Sequence, residues 1–229
     1  MDQRTSRRLP RQWGGLKGGR RSSSTRSVAA VNSMPPSDAS SAATTRNRTA
    51  LLVIDMQNAF FEDELLARSR SALVTACNSL IDAAVRSGAP VLVARTEHLR
   101  NRSSWTLSML DDDQGFIFRG SQQADPVPGL RVDGLETVTK TRDSAFFGTD
   151  LAERLRSLGV EHLVLAGVST HNCVAHTGAD AFAGNFRVTY VRDAIGSTNE
   201  QYAEAMLEIL SVEYRQAIVG LAEAGAMLS

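Results

Sequence analysis

Two runs, Ala50-Leu51-Leu52-Val53-Ile54 and His162-Leu163-Val164-Leu165-Ala166, are apolar at consecutive positions rather than at every second one. A strand with one wet face alternates polar and apolar residues, so strands of this kind must be covered on both sides, as in a parallel sheet sandwiched between helices. The rest of the chain fits that demand. Short aliphatic runs at 91–94, 136–140, 187–191 and 217–219 alternate with helical patterns at about 71–87, 149–158, 172–183 and 200–212. Gly88, with Pro90 just beyond it, and Gly159 stand where helix stops are expected. The expected fold is therefore α/β, three layers α/β/α with about six mostly parallel strands, spanning 49–229. The polar, turn-rich stretch 95–135 is too long for a plain connector and reads as a lid or specificity segment.

A chain of 229 residues, 42% of them hydrophobic, can build one sizeable core. No run approaches the roughly 20 apolar residues that cross a bilayer, and the pairs Arg7-Arg8 and Arg20-Arg21 do not precede a signal-type apolar run. No membrane partner is expected, and a cytoplasmic location is the default. The net charge of zero hides an asymmetry: residues 1–48 hold ten of the 25 basic and two of the 25 acidic residues, so this segment is +8 and the remainder −8. Rich in Arg, Ser, Gly and Thr, residues 1–48 read as a disordered basic tail. A basic arm can meet nucleic acid, but an idle leader or an over-long start, with Met34 as the true one, is the reading taken, and no nucleic-acid partner is expected.

In sheets of this type ligands sit outside the carboxyl ends of the strands. Three residues stand there: Asp55 after the first strand, Lys140 at the end of the third, and Cys173 just after the fourth, where a helix begins. Each has a plain reading, since a carboxylate after a strand is often a turn former and a lone cysteine is usually inert core. Lys140, however, is the only lysine after residue 48 among cations that are otherwise arginine, and lysine offers a compact charge with a tunable pKa. Cys173 follows Gly167-Val168-Ser169-Thr170-His171-Asn172, where free N–H groups at a helix start favour a thiolate. Cys77, on the apolar face of its helix, takes the inert reading. Two cysteines so far apart form neither a disulfide framework nor a metal knuckle.

Three segments, Leu52-Val53-Ile54-Asp55-Met56-Gln57-Asn58-Ala59-Phe60, then Lys140-Thr141-Arg142-Asp143-Ser144-Ala145-Phe146-Phe147-Gly148-Thr149, then Gly167 through Val174 with Ala179-Asp180-Ala181-Phe182, resemble in order the isochorismatase-like cysteine hydrolases. The resemblance implies a catalytic triad of Asp55, Lys140 and Cys173. It also implies a non-proline cis peptide near Val168-Ser169 and an oxyanion hole from the backbone N–H groups of Ser169 and Cys173. The implied activity is hydrolysis of a non-peptide C–N bond in an amide, ureide or lactam through a thioester, without a cofactor, in a protein that forms homo-oligomers.

The family's nicotinamidases hold a metal through an aspartate and histidines after the second strand; here that region offers only Glu97 and His98, so no metal is expected and nicotinamide loses ground as substrate. Isochorismate-cleaving members often lack the cysteine, which this chain keeps. His171 and His176 flank Cys173 and take lining or structural roles, because Asp55 and Lys140 already supply base and charge. A dinucleotide-binding reading fails for want of glycine after Asp55, in Met56-Gln57-Asn58-Ala59-Phe60-Phe61. A catalytically silent scaffold on the same fold stays open; it would lack a low-pKa cysteine. For the substrate, Asp111, Asp112 and Asp113 in the long loop would suit a small cationic molecule, and family members that open the lactam of streptothricin-type antibiotics fit that description. Phe60, Phe61, Trp105, Phe146 and Phe147 are candidates for an apolar lining.

Overall fold

The computed structural model describes residues Arg48–Ser229. The reading of 1–48 as a disordered basic tail falls, except for Arg48, outside the described residues. Strand β1 (Thr49–Ile54) lies in the middle of a sheet ordered β3-β2-β1-β4-β5-β6, built with β2 (Val91–Thr96), β3 (Glu136–Lys140), β4 (His162–Val168), β5 (Arg187–Gly196) and β6 (Ala217–Val219). Every neighbouring pair is parallel, with Val53 of β1 opposite Val93 on one side and Ala166 on the other.

The apolar runs show why β1 and β4 are central. Ala50, Leu52 and Ile54 face one core with Leu163 and Leu165, whereas Leu51 and Val53 face a second core with Val164 and Ala166. Each such Leu, Ile or Val is worth about 1.5–3 kcal/mol when fully buried. Helices α3 (Leu151–Ser157), α4 (Ala175–Ala183) and α5 (Glu200–Val212) cover the first face through Leu155, Ala181, Leu207 and Leu210; α1 (Glu64–Ser87) and α6 (Leu221–Met227) cover the other through Leu73, Cys77, Leu80 and Ala224. The result is the three-layer α/β/α arrangement expected from the alternation. Among the described residues no helix is long and apolar enough to cross a membrane.

Several boundaries differ from expectation. Helix α1 starts at Glu64 rather than near 71, because the Asp63 side chain accepts hydrogen bonds from the Leu65 and Leu66 N–H groups and caps a polar first turn that lacks an apolar period. It ends at Gly88, whose φ of +76° allows the left-handed cap. Strand β5 runs on to Gly196, beyond 191, across a register shift against β4. The stretch 95–135 contains a short helix, α2 (Leu107–Asp111), and the closing helix α6 was not foreseen.

Connectivity places the site. From β1 the chain steps outward to β2 and β3, then returns past β1 to β4 and continues to β5 and β6. The order reverses between β1 and β4, and a crevice opens at such a switch point beyond the strands' carboxyl ends.

Candidate active site

Asp55 directly follows β1, Lys140 closes β3, and Cys173 sits in a single π-helical turn, Thr170–Val174, between β4 and α4. Positions far apart in sequence thus meet at the switch point. Asp55 is 0% exposed, Lys140 1% and Cys173 6%. The Lys140 Nζ lies 2.7 Å from Asp55 Oδ2 and 3.5 Å from Cys173 Sγ. A buried charge pair of this kind is sustained only when further hydrogen bonds satisfy it. Here Thr96 supplies them: its N–H and hydroxyl each donate to Asp55 Oδ1 at 3.0 Å, and its hydroxyl accepts from Lys140 at 2.7 Å. Lys140 also donates to the Arg142 carbonyl at 3.1 Å. Gln57, 1% exposed, accepts from the Thr96 N–H and donates to the carbonyls of Thr96 and Ala124.

Burial pulls the Lys140 ammonium toward neutrality, but Asp55 and Cys173 beside it outweigh this and raise its pKa. The Cys173 thiol goes well above the ordinary thiol range: burial pushes it up, the Asp55 carboxylate and its hydrogen bond push the same way together with Asp143, and Lys140 alone opposes them. Cys173 lies, as expected, in the first turn of the helix that runs on into α4, but the expected preference for the thiolate is corrected. The turn is π-helical, two of its N–H groups, those of Asn172 and Val174, are spent on the Ser169 carbonyl, and the neighbouring carboxylate outweighs the ammonium. The arrangement is a neutral thiol beside a carboxylate and an ammonium, suited to proton transfer at the moment of attack rather than to a standing thiolate.

The Val168–Ser169 peptide is cis, as the resemblance implied, and brings Ser169 in just ahead of the turn that carries Cys173. Gly167, with φ +115°, leaves its Cβ position within 1.9 Å of the Ile54 carbonyl oxygen, so β1 and β4 approach here more closely than any side chain permits.

A cavity of about 370 Å³ is lined by Arg142, Asp143, Ser144, Phe147, His176 and Asp180 among others, and it adjoins the thiol through Asp143. Asp143 Oδ1 is 3.9 Å from Cys173 Sγ. A larger groove, about 800 Å³, lies at the opposite end of the sheet, by His162, Arg187 and Ala217 where β4, β5 and β6 begin, and contains none of the three residues.

The proposed lining residues fare differently. Of the pair Phe146 and Phe147, Phe146 packs into the core against Phe186 and does not line the cavity, whereas the exposed Phe147 does. Phe60 packs against the core under α1, and Trp105 is buried in the long loop, its indole N–H donating to the Leu99 carbonyl. Asp111, Asp112 and Asp113 are exposed, and Asp113 pairs with Arg102 at 2.6 Å; the carboxylates lining the cavity are Asp143 and Asp180. His171 Nδ1 meets the Ser197 hydroxyl and takes a structural place, while His176 lines the cavity. Thr96 and Gln57 were not singled out in the sequence, although Thr96 ends β2 beside Asp55 and so met the strand-end criterion.

Glu97 and His98 do not fit a metal site. The Glu97 carboxylate is taken by Arg95 and Arg119, the His98 Nδ1 lies 3.0 Å from the Ser104 carbonyl, and among the described residues no three His, Cys, Asp or Glu side chains converge.

Residues 49–223 match the isochorismatase domain model. A probable inactive nicotinamidase of Arabidopsis thaliana is 33% identical over 174 residues, 72% of this chain and 89% of that protein. Among solved structures, an isochorismatase family protein from Desulfovibrio vulgaris superposes with a TM-score of 0.71 at 30% identity, covering 80% of this chain and 98% of that one. An N-carbamoylsarcosine amidase from Thermoplasma acidophilum gives 0.65 at 25% identity, covering 76% and 96%. With its switch-point site, its all-parallel six-stranded sheet and a domain match over most of its length, this chain belongs to the isochorismatase-like hydrolase family.

Proposed function

We propose that this protein is a cysteine-dependent amidohydrolase acting on a non-peptide C–N bond of a small molecule. The observation that carries this reading is the buried contact of Lys140 with both Asp55 and Cys173, next to a cavity whose wall residue Asp143 approaches the thiol. In the first step Cys173 Sγ bonds to the substrate carbonyl carbon while its proton passes to Asp55. The negative oxygen is taken up by the backbone N–H groups of Ser169 and Cys173; loss of one such donor typically costs about 100- to 1,000-fold in rate. The C–N bond then breaks, Asp55 returns the proton to the departing nitrogen, and a thioester remains on Cys173. Water attacks it with Asp55 again as base, releasing the acid and restoring the thiol. Lys140, 2.7 Å from Asp55 Oδ2 and 3.5 Å from Cys173 Sγ, balances the negative charge as it passes between them.

The substrate that best suits the cavity carries a positive charge. Asp143 and Asp180 line it, and the Arg142 guanidinium is directed at the backbone carbonyls of Thr141, Ser104 and Trp105. Cationic lactams of the streptothricin type are one class of that description. Because the Arabidopsis relative is named a probable inactive nicotinamidase, catalytic silence is the reading an experiment must defeat. Intact-protein mass spectrometry during incubation with a panel of neutral, cationic and anionic amides, ureides and lactams, nicotinamide included, should reveal an acyl adduct on Cys173 with product release. Cys173→Ala and Asp55→Asn should each abolish turnover with the fold intact, and persistence of turnover in Cys173→Ala would end the proposal. Among matched substrates the cationic ones should turn over fastest, and Asp143→Asn should erode that preference by about tenfold.

A further inference from the structure

We infer that Thr96 is the positioning residue that decides which oxygen of Asp55 receives the Cys173 proton, an inference that rests on the hydrolase reading above. Thr96 is the last residue of β2 and lies opposite Lys140 in the β2–β3 pair. Its hydroxyl has one proton to give. Lys140, an ammonium, can only donate, so the 2.7 Å contact from Nζ to Oγ1 obliges the hydroxyl to accept there and to spend its proton on Asp55 Oδ1, 3.0 Å away. The Thr96 backbone N–H reaches the same Oδ1 at 3.0 Å.

Oδ1 therefore holds two donors, and Oδ2 is in a different condition. It is buried, and its partner is the Lys140 ammonium, 2.7 Å away. The same ammonium also reaches Thr96 Oγ1 at 2.7 Å, the Arg142 carbonyl at 3.1 Å and Cys173 Sγ at 3.5 Å, so its three N–H bonds are shared among four acceptors. Oδ2 thus carries one shared donor where Oδ1 carries two, and it is the carboxylate oxygen with a lone pair left for the thiol proton. Gln57 fixes the device from behind, since its amide accepts from the Thr96 N–H at 2.8 Å and donates to the Thr96 carbonyl at 2.9 Å. Without the hydroxyl, Asp55 can turn and Lys140 loses an acceptor, so carboxylate and thiol fall out of line.

The test uses iodoacetamide on the full chain at neutral pH, with Cys173 labelling followed by mass spectrometry. In that reaction the sulfur–carbon bond forms, iodide leaves and the thiol proton goes to Asp55, so the rate reads the proton acceptor without a known substrate. Thr96→Val keeps the shape and removes the hydroxyl, and should slow labelling by about tenfold or more. Thr96→Ser, which keeps the hydroxyl, should label close to the wild-type rate; Thr96→Val should have a lower denaturant midpoint, because two buried charges lose a partner, and labelling is read where circular dichroism shows it fully folded. If Thr96→Val does not fold, Thr96→Ala takes its place. Labelling of the hydroxyl-less variant at the wild-type rate, or of Thr96→Ser as slowly as Thr96→Val, would overturn the inference. The hydrolase reading fails separately, through turnover that survives Cys173→Ala.

Discussion

Burial and the Asp55 carboxylate hold the proton on Cys173, and Lys140 works against them. Replacing Asp55 by Asn removes a negative charge from beside the sulfur and keeps the side chain's size. A thiol whose ionisation is pushed up by a neighbouring anion comes down when that anion is neutralised, because burial and Lys140 are then the main remaining influences. In Asp55→Asn the ultraviolet absorbance of the Cys173 thiolate should therefore develop at lower pH than in the wild type, and in Lys140→Met at higher pH. Cys77, pushed up to about 12 by burial, stays silent over most of the titration. Asp55→Asn would thus have the more readily ionised nucleophile and still be inactive, since nothing returns a proton to the leaving nitrogen. A thiol midpoint unmoved in Asp55→Asn would show that burial alone sets it. At the same scale, the high thiol pKa changes what labelling says about catalytic silence: a low-pKa cysteine is not the mark of activity here, and the response to Asp55→Asn is.

At the scale of elements the site depends on how closely the ends of β1 and β4 approach. A Cβ at Gly167 would lie 1.9 Å from the Ile54 carbonyl oxygen and 2.7 Å from its nitrogen, and both are backbone atoms that cannot swing aside. Gly167 also has φ +115°, a conformation strained for any L side chain. Gly167→Ala should lower stability by about 3 kcal/mol or more in urea unfolding. The fraction that still folds should have lost activity, because separating the strands separates Asp55 from Cys173. Stability close to wild type would mean the two strands can part without consequence. The apolar runs of β1 and β4 made the centre of the sheet legible in the sequence, and the strand-end rule then picked out Asp55, Lys140 and Cys173 because each is a polar residue ending or following a buried run. The rule stopped there for physical reasons. Thr96 looks like ordinary strand composition until its hydroxyl is seen between two charges, and the choice between Phe146 and Phe147 depends on which neighbouring side chain turns inward. The expected helix start after β4 is there, but its first turn is π-helical, a change of backbone hydrogen bonding that periodicity does not register, and the capped start of α1 lacks an apolar period. Asp111, Asp112 and Asp113 were weighed for charge alone, and their exposure was set by the folding of the long loop.

For the whole molecule, the buried acids set a limit on the alkaline side. Cys77 is 0% exposed, and burial pushes its thiol from an ordinary value of about 9 to about 12. Burial likewise raises Tyr190, and Cys173 and Lys140 are both raised for the reasons given above. All four keep their protons in the folded chain at pH values where the unfolded chain begins to release them. The unfolded state then binds fewer protons than the native state, so stability falls as pH rises. The window opens near pH 9, where unfolded thiols ionise, and for Cys77 it closes near pH 12, where the folded thiol titrates too. A shift of about three units corresponds to roughly 4 kcal/mol across that window. Cys77→Ala isolates this contribution. Its lost packing against the core under α1 lowers stability by an amount that does not vary with pH, whereas the missing thiol removes one titrating proton. Urea midpoints measured at intervals between pH 8 and pH 11 should therefore start lower for Cys77→Ala and decline less steeply than for the wild type. The difference in slope should approach about 1.4 kcal/mol per pH unit above pH 9. Parallel curves would mean that the Cys77 thiol titrates alike in the folded and unfolded chains, and would leave Tyr190, Lys140 and Cys173 to account for the alkaline limit.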